Sequence, residues 1–241
     1  MTDSSDRPRD LPRWLVIAAP IVVQAIVLIV ALINPDAAAG MVAKEQGIVE
    51  HLTVVVLLPG IALGAYGAFL AFKRKLMPQW WIPGWIMMWV LACIYFGGEE
   101  ISWGQHYFGW DTPESLTELN DQDETNLHNM SSWLDQKPRL LVELWVIIGG
   151  IIIPIVHRIQ GAKAPGVKRF DYWCWPTAAC FVAACMMVVS RIAEGLEDAM
   201  PFITPLASSE TREYATAFFL SLYLISYAWR VRSFAATRQS A

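Results

Sequence analysis

The amino-acid sequence predicts an all-α membrane protein, a polytopic bundle of about six transmembrane helices. Charged residues make up 17% of the chain and hydrophobic residues 55%, whereas soluble domains carry about 25% charged residues. Apolar runs of about 20 residues, the length that crosses a bilayer, recur between short polar links. The 12 tryptophans are typical of membrane interfaces.

The first predicted span covers about residues 14–34 and is interrupted only by Pro20 and Gln24. A basic tail precedes it, as in a signal peptide, but the apolar run exceeds the roughly 7–15 residues of a signal core. We therefore expect a retained helix. The other predicted spans cover about residues 51–72, 81–97, 140–156, 172–192 and 213–229.

The second predicted span contains Pro59 and three glycines, Gly60, Gly64 and Gly67. Glycine allows two helices to approach closely in lipid, and proline is tolerated there when neighbours satisfy the freed carbonyl. The glycines therefore predict a close helix contact.

Loop charges predict the orientation. Basic residues cluster before the first span and after the second, fourth and sixth, whereas the links after the first, third and fifth are acid-rich. Since Lys and Arg mark the cytoplasmic side, residues 1–13 and 233–241 are predicted cytoplasmic tails around a transmembrane domain, residues 14–232. We expect a bacterial inner-membrane protein in contact with lipid. The net charge of −4 gives no reason to expect a nucleic-acid partner.

The segment of residues 98–138 is the polar centre of the chain and is predicted to lie on the outer face, between the third and fourth spans. If the third helix continues, Glu99, Ser102 and His106 share one face at i, i+3 and i+7. Trp103 then helps to make the segment amphipathic along the membrane surface.

Glu99 and Glu100 are adjacent carboxylates at the end of the third span. Two charged carboxylates close to lipid are costly. We therefore expect one of them to take a proton, or both to meet a cation. A solvated charge pair is the structural alternative.

Glu124 and His128 are spaced i, i+4 further along this segment, which places a carboxylate beside an imidazole on a helix. The pair could supply half of a metal site or an acid/base pair, although the same spacing occurs on solvated helix faces. Amides that could instead cap helix ends surround the pair: Asn120, Gln122, Asn126 and Asn129.

Acidic residues also lie at the outer ends of the fifth and sixth predicted spans. Arg191 and Glu194 have the spacing of a helix ion pair, and Glu210 and Glu213 begin the sixth span, where the helix dipole favours negative charge. Glu143 lies about one turn inside the fourth span. An ionisable residue at that depth is a functional candidate.

Carboxylate and imidazole ligands together suit zinc, manganese or iron, and a catalytic metal keeps an open position to activate water or polarise a substrate oxygen. The candidate catalytic residues are Glu99, Glu100 and Glu124. The candidate metal ligands are Glu99, His106, His128 and Glu213. The candidate substrate-binding residues are Trp103, Gln105, Asn126, Asn129 and Glu143.

The stretch EEISWGQ, from Glu99 to Gln105, followed by NLHN, from Asn126 to Asn129, resembles a group of uncharacterised bacterial multi-pass membrane proteins. The resemblance implies a membrane location and no particular activity. That group has Arg where this chain has His106, which argues against His106 as an essential ligand. Membrane hydrolases similar to alkaline ceramidases would carry seven helices and an HxxxH motif, which this chain lacks.

Three functions are consistent with these features. The first is a metal-dependent enzyme acting on a lipid or other amphiphile. The second is a non-catalytic subunit or scaffold of a larger membrane complex, in keeping with the small size and many tryptophans. The third is a small transporter or ion-binding protein that uses Glu143. Convergence of the polar side chains into a pocket would favour the enzyme. A flat polar surface would favour the subunit, and a continuous cavity would favour the transporter.

Overall fold

The computed structural model describes residues 10–43, 47–112, 132–160 and 166–240. The described residues form helices, helical turns and connecting segments, with no β-strand among them. The predicted all-α fold class is therefore confirmed.

Eleven α-helices run along these residues: α1 (Arg13–Ile33), α2 (Pro35–Met41), α3 (Ile48–Lys73), α4 (Ile82–Glu100), α5 (Gln105–Phe108), α6 (Ser132–Ile147), α7 (Ile153–Ile159), α8 (Phe170–Cys174), α9 (Phe181–Glu194), α10 (Thr204–Ala207) and α11 (Ser209–Ser240). A π-helical turn, Ile148–Ile152, joins α6 to α7.

Within the described residues, five helical segments are long and apolar enough to cross a membrane. They overlap the first five predicted spans: Trp14–Ile33, Ile48–Lys73, Ile82–Glu100, Lys137–Ile159 and Phe170–Glu194. Large apolar side chains cover their outer surfaces, such as Ile33 at 79% and Leu141 at 69% exposure. A soluble monomer rarely exposes so much contiguous apolar surface, so these helices indicate a membrane protein.

The sixth predicted span lies within α11, which is not among those five segments. This helix of 32 residues is about 48 Å long at 1.5 Å per residue. It packs most extensively against α3 and also against α9, and Phe219, Tyr223 and Tyr227 along it are fully buried. Because neighbouring helices cover α11, it can carry hydroxyl and charged groups that a lipid-facing helix could not.

The glycines of α3 make the close helix contact that was predicted, and the partner helix is α11. A Cβ atom on Gly60 would lie 2.7 Å from the Cα of Ser221, and one on Gly67 would lie 2.9 Å from the Cα of Ala228. Any larger side chain would force the backbones apart. The small residues therefore set the distance between these two helices.

The fifth predicted span is present as a helical segment but is bent within its first half. Helix α8 ends at Cys174, and Trp175 has the extended backbone that a following proline favours. Pro176 lacks the N–H that would continue the helix. The chain resumes through a 3₁₀ turn, where Thr177 Oγ1 accepts a 3.3 Å hydrogen bond from the Ala179 amide.

Candidate functional site

Three carboxylates from two helices meet at one end of the bundle. Glu100 is the last residue of α4, and Glu210 and Glu213 lie i, i+3 on the first turns of α11. One carboxylate oxygen from each lies within 4.8 Å of the others. We call these three residues the carboxylate cluster.

A cavity of about 190 Å³ adjoins the carboxylate cluster. Its charged end is formed by Glu99, Glu100, Glu143 and Glu213, with Arg139 and Arg212. Its apolar walls come from α4, α6 and α11 and include Ala92, Phe96, Val142 and Leu220. The cavity is therefore lined by charged side chains beside the carboxylate cluster and by apolar side chains elsewhere.

Both arginines of the cavity are engaged in ion pairs. Arg139 contacts Glu213, and Arg212 contacts Glu194. The Nε atom of Arg212 lies 3.2 Å from Oε1 of Glu143, an ion-pair contact without the direction of a hydrogen bond. These contacts connect α6, α9 and α11 around the cavity.

The predicted helix pair at the end of α9 is also present, with Arg191 Nη1 2.6 Å from Glu194 Oε2. Around the cavity and the carboxylate cluster, the described residues thus supply seven carboxylates and three guanidinium groups. The carboxylates belong to Glu50, Glu99, Glu100, Glu143, Glu194, Glu210 and Glu213, and the guanidinium groups to Arg139, Arg191 and Arg212. Negative charge in excess at a largely buried site requires bound protons or a cation.

Helix α4 ends at Glu100 and does not continue through the polar segment. Ser102, Trp103 and Gly104 have φ angles of 45°, 56° and 95°, which a right-handed helix cannot contain. The condition under which Glu99, Ser102 and His106 would share one helix face, continuation of the third helix, is therefore not met.

The turn after α4 folds Trp103 back onto the helix. Its indole N–H donates a 2.7 Å hydrogen bond to Oε1 of Glu99. Its ring packs against Gly98, so closely that a Cβ atom on this glycine would lie 2.9 Å from the ring. Glu99 is itself buried. The indole thus fixes the orientation of a carboxylate that lines the cavity.

The predicted site residues fall into three groups. Four carboxylates line the cavity as a set: Glu99, Glu100, Glu143 and Glu213. Trp103 touches this set through Glu99, whereas Gln105 donates a 2.8 Å hydrogen bond to Thr112 outside the cavity lining. The remaining predicted residues, Glu124, Asn126, His128 and Asn129, lie outside the described residues, as do Asn120 and Gln122 and the side chain of His106.

Sequence reasoning did not assign Glu210, Arg139 or Arg212 to the site. The i, i+3 spacing of Glu210 and Glu213 was visible, but the helix dipole was a sufficient explanation for it. Arg139 and Arg212 flank predicted spans, where basic residues commonly face water. Their role as ion-pair partners depends on which helix ends meet.

The chain matches none of the protein-family models, curated proteins or solved structures with which it was compared.

The geometry of the carboxylate cluster fits a divalent cation. Oxygen ligands lie about 2.0–2.6 Å from magnesium or calcium, so two ligands of one ion are at most about 4–5 Å apart, in agreement with the cluster. All ligand atoms of the cluster are carboxylate oxygens, which suit magnesium, calcium and manganese, whereas structural and catalytic zinc sites favour His and Cys. Of the predicted zinc, manganese and iron, manganese fits this ligand set best.

Proposed function

We propose that this membrane protein binds a divalent cation at the carboxylate cluster and uses it to act on a lipid or other amphiphile in the adjacent cavity. The observation that carries the proposal is the meeting of three carboxylates at the charged end of a cavity whose other walls are apolar. A headgroup would lie beside the cation, and a chain would follow the apolar walls.

Glu100, Glu210 and Glu213 would hold the cation. Arg139 contacts Glu213 and would orient this ligand, as groups around a metal site commonly do. A bound divalent cation would supply polarisation of a substrate oxygen or activation of water. The apolar walls would limit the access of bulk water to this end of the cavity.

Glu99 is the carboxylate best placed to move a proton. It lines the cavity outside the carboxylate cluster, and the indole of Trp103 fixes one of its oxygens. A carboxylate held in this way can accept a proton from an attacking hydroxyl group or water. Glu143 is less suited to this role because Arg212 compensates its charge.

For the membrane arrangement, we propose six spans with both termini in the cytoplasm and the carboxylate cluster on the periplasmic face of a bacterial inner membrane. The distribution of Lys and Arg supports this orientation. A C-terminal green fluorescent protein fusion should fluoresce, and alkaline phosphatase fused after Asp198 should be active. The reverse pattern would overturn the orientation.

Cation binding without chemistry is a second candidate function. It is favoured by Glu143 and Arg212, which extend the charged groups from the carboxylate cluster along the cavity. An ion could exchange among such groups without a reaction. The two candidates differ in whether a lipid product forms.

The test is a metal-dependent turnover assay. Purified protein is stripped with chelator, supplied with Mn²⁺ or Mg²⁺ and incubated with mixed micelles of phospholipids and lipid phosphates, and products are followed by mass spectrometry. We expect a product that requires the added metal, is lost in Glu210→Gln and persists in Asp198→Asn, a control at an exposed acid. Metal binding without a product from any lipid class would contradict the enzymatic proposal and favour cation binding alone.

A further inference from the structure

A second cavity, of about 600 Å³, lies between α7 and the bend that joins α8 to α9. It is at the opposite end of the bundle from the carboxylate cluster. Glu143 and His157 lie on the same helical segment, 14 residues apart in the sequence, which corresponds to about 21 Å along the axis. The second cavity is therefore a separate site.

The walls of the second cavity are largely apolar. Ile155, Trp175, Pro176 and Phe181 line it, whereas His157 and Arg158 provide polar groups at the end of α7. His157 and Arg158 are exposed, and Ile155 is also exposed on the outer surface of α7. The cavity thus combines an apolar wall that reaches the lipid-facing surface with basic residues at one end. These two parts are complementary to the acyl chain and the headgroup of a lipid.

The charge at this end is positive. Asp171 also lines the second cavity, but Arg169 holds it in a fork, with Nη2–Oδ2 at 2.7 Å and Nε–Oδ1 at 3.0 Å. Arg158 has no carboxylate partner within the described part of the chain. An approaching anion would therefore meet an uncompensated guanidinium group.

A buried arginine adds to this positive charge. Arg230 is fully buried behind Tyr172, a residue of the cavity wall, and its guanidinium carbon lies 5.1 Å from the centre of the tyrosine ring. It donates to the main-chain carbonyls of Tyr172 and Ser226, and its Nη2 atom has no hydrogen-bond partner among the described residues. The carboxylate of Asp10, which lies at the same end of the bundle, accepts a 2.7 Å hydrogen bond from the Ser226 hydroxyl rather than from Arg230.

We propose that the second cavity binds an anionic phospholipid from the surrounding bilayer. The phosphate would lie against Arg158 and His157, and an acyl chain would follow Ile155 and Phe181. Guanidinium groups form strong charge-assisted hydrogen bonds with phosphate, and basic pockets between transmembrane helices bind anionic headgroups. Trp175 on the cavity wall suits the interfacial depth of a headgroup.

The experiment is native mass spectrometry of the detergent-purified full chain with dioleoyl phosphatidylglycerol or dioleoyl phosphatidylcholine, which have the same acyl chains. We expect the anionic lipid to bind at least about fivefold more tightly, as one favourable basic contact provides. Arg158→Gln should lose most of this preference. Arg74→Gln, at an exposed basic residue that ends another helix, should keep it.

A second variant tests the cavity itself without changing its charge. Ala178 is exposed and lines the cavity, so Ala178→Trp should fill the space, leave the fold intact by circular dichroism and reduce lipid binding. Equal binding of both lipids, or unchanged preference in Arg158→Gln, would overturn the proposal. Displacement of the lipid by millimolar inorganic phosphate would also overturn it, since that result would indicate a site for a free anion.

Discussion

Arg212 and Glu143 form a buried ion pair across the cavity, with Nε of the arginine 3.2 Å from Oε1 of the glutamate. The two residues are only 7% and 9% exposed. Arg212 also contacts Glu194 at the end of α9, so one guanidinium group compensates carboxylates from two other helices. The pair explains how a carboxylate is accommodated one turn inside the fourth span.

The first prediction concerns this ion pair. Arg212→Met should lower the free energy of unfolding by about 3–5 kcal/mol, because it leaves Glu143 buried and without its counter-charge. The double variant Arg212→Met, Glu143→Met should be less destabilised than the single variant. Thermal unfolding in detergent measures both.

Arg191→Gln is the matched control for the ion-pair prediction. The Arg191–Glu194 pair is more exposed, and exposed pairs contribute about 0–1 kcal/mol. If Arg191→Gln and Arg212→Met lowered the unfolding midpoint equally, burial of the Arg212 pair would have no energetic consequence, contrary to our account.

The second prediction concerns the contact between α3 and α11. Gly60→Ala should destabilise the protein by about 1–3 kcal/mol through overpacking, because its Cβ atom would lie 2.7 Å from the Cα of Ser221. Gly84→Ala has nothing within 4 Å of the new methyl group and should be neutral or stabilising by about 0.5–1 kcal/mol. An unfolding midpoint of Gly60→Ala that is equal to or higher than that of Gly84→Ala would contradict the close contact.

The sequence predicted the helices better than the points where they break. Runs of apolar residues located the spans because a bilayer requires continuous apolar surface. The turn after α4 was not predicted, because Ser102 and Trp103 adopt positive φ angles and only Gly104 beside them indicated such a turn. The bend at Pro176 was not predicted, because the fifth span was located by its apolar residues and these continue on both sides of the proline.

The sequence predicted which end of the bundle carries the candidate site, but it did not predict most of the contacts between individual side chains there. The predicted topology put acidic span ends on one face, and four of the predicted carboxylates line one cavity. Which oxygens approach each other depends on helix rotation and register, so the sequence could not select Glu210 over Glu99 as a cluster member. For the same reason, the sequence could not predict the ion-pair partners of Arg139 and Arg212.

The third prediction concerns the indole that orients Glu99. Trp103→Phe keeps a ring against Gly98 but removes the N–H donor, and should cost about 1.5–3 kcal/mol, the usual contribution of a hydrogen bond to a charged group. Trp80→Phe is the control because this side chain is 88% exposed. Equal unfolding midpoints for the two variants would show that the hydrogen bond contributes nothing to stability.

The fourth prediction is a pH dependence of cation binding. Carboxylates must lose their protons to bind a metal, so the affinity for Mn²⁺ should decrease as the pH is lowered from 7 to 5. Isothermal titration with Mn²⁺ at several pH values, in buffers that do not chelate it, measures this decrease. An affinity that is constant over this range would exclude competition between protons and metal at the carboxylate cluster.

The most direct test of the central claim is the metal content of the detergent-purified protein, measured by elemental mass spectrometry after dialysis against Mn²⁺. We predict near one divalent ion per chain, as expected for a single oxygen-ligand site, in the wild type and in Asp198→Asn. The double variant Glu100→Gln, Glu210→Gln should retain almost none while remaining folded by circular dichroism. A folded wild-type protein without bound metal, or a double variant with unchanged metal content, would contradict a cation site at the carboxylate cluster.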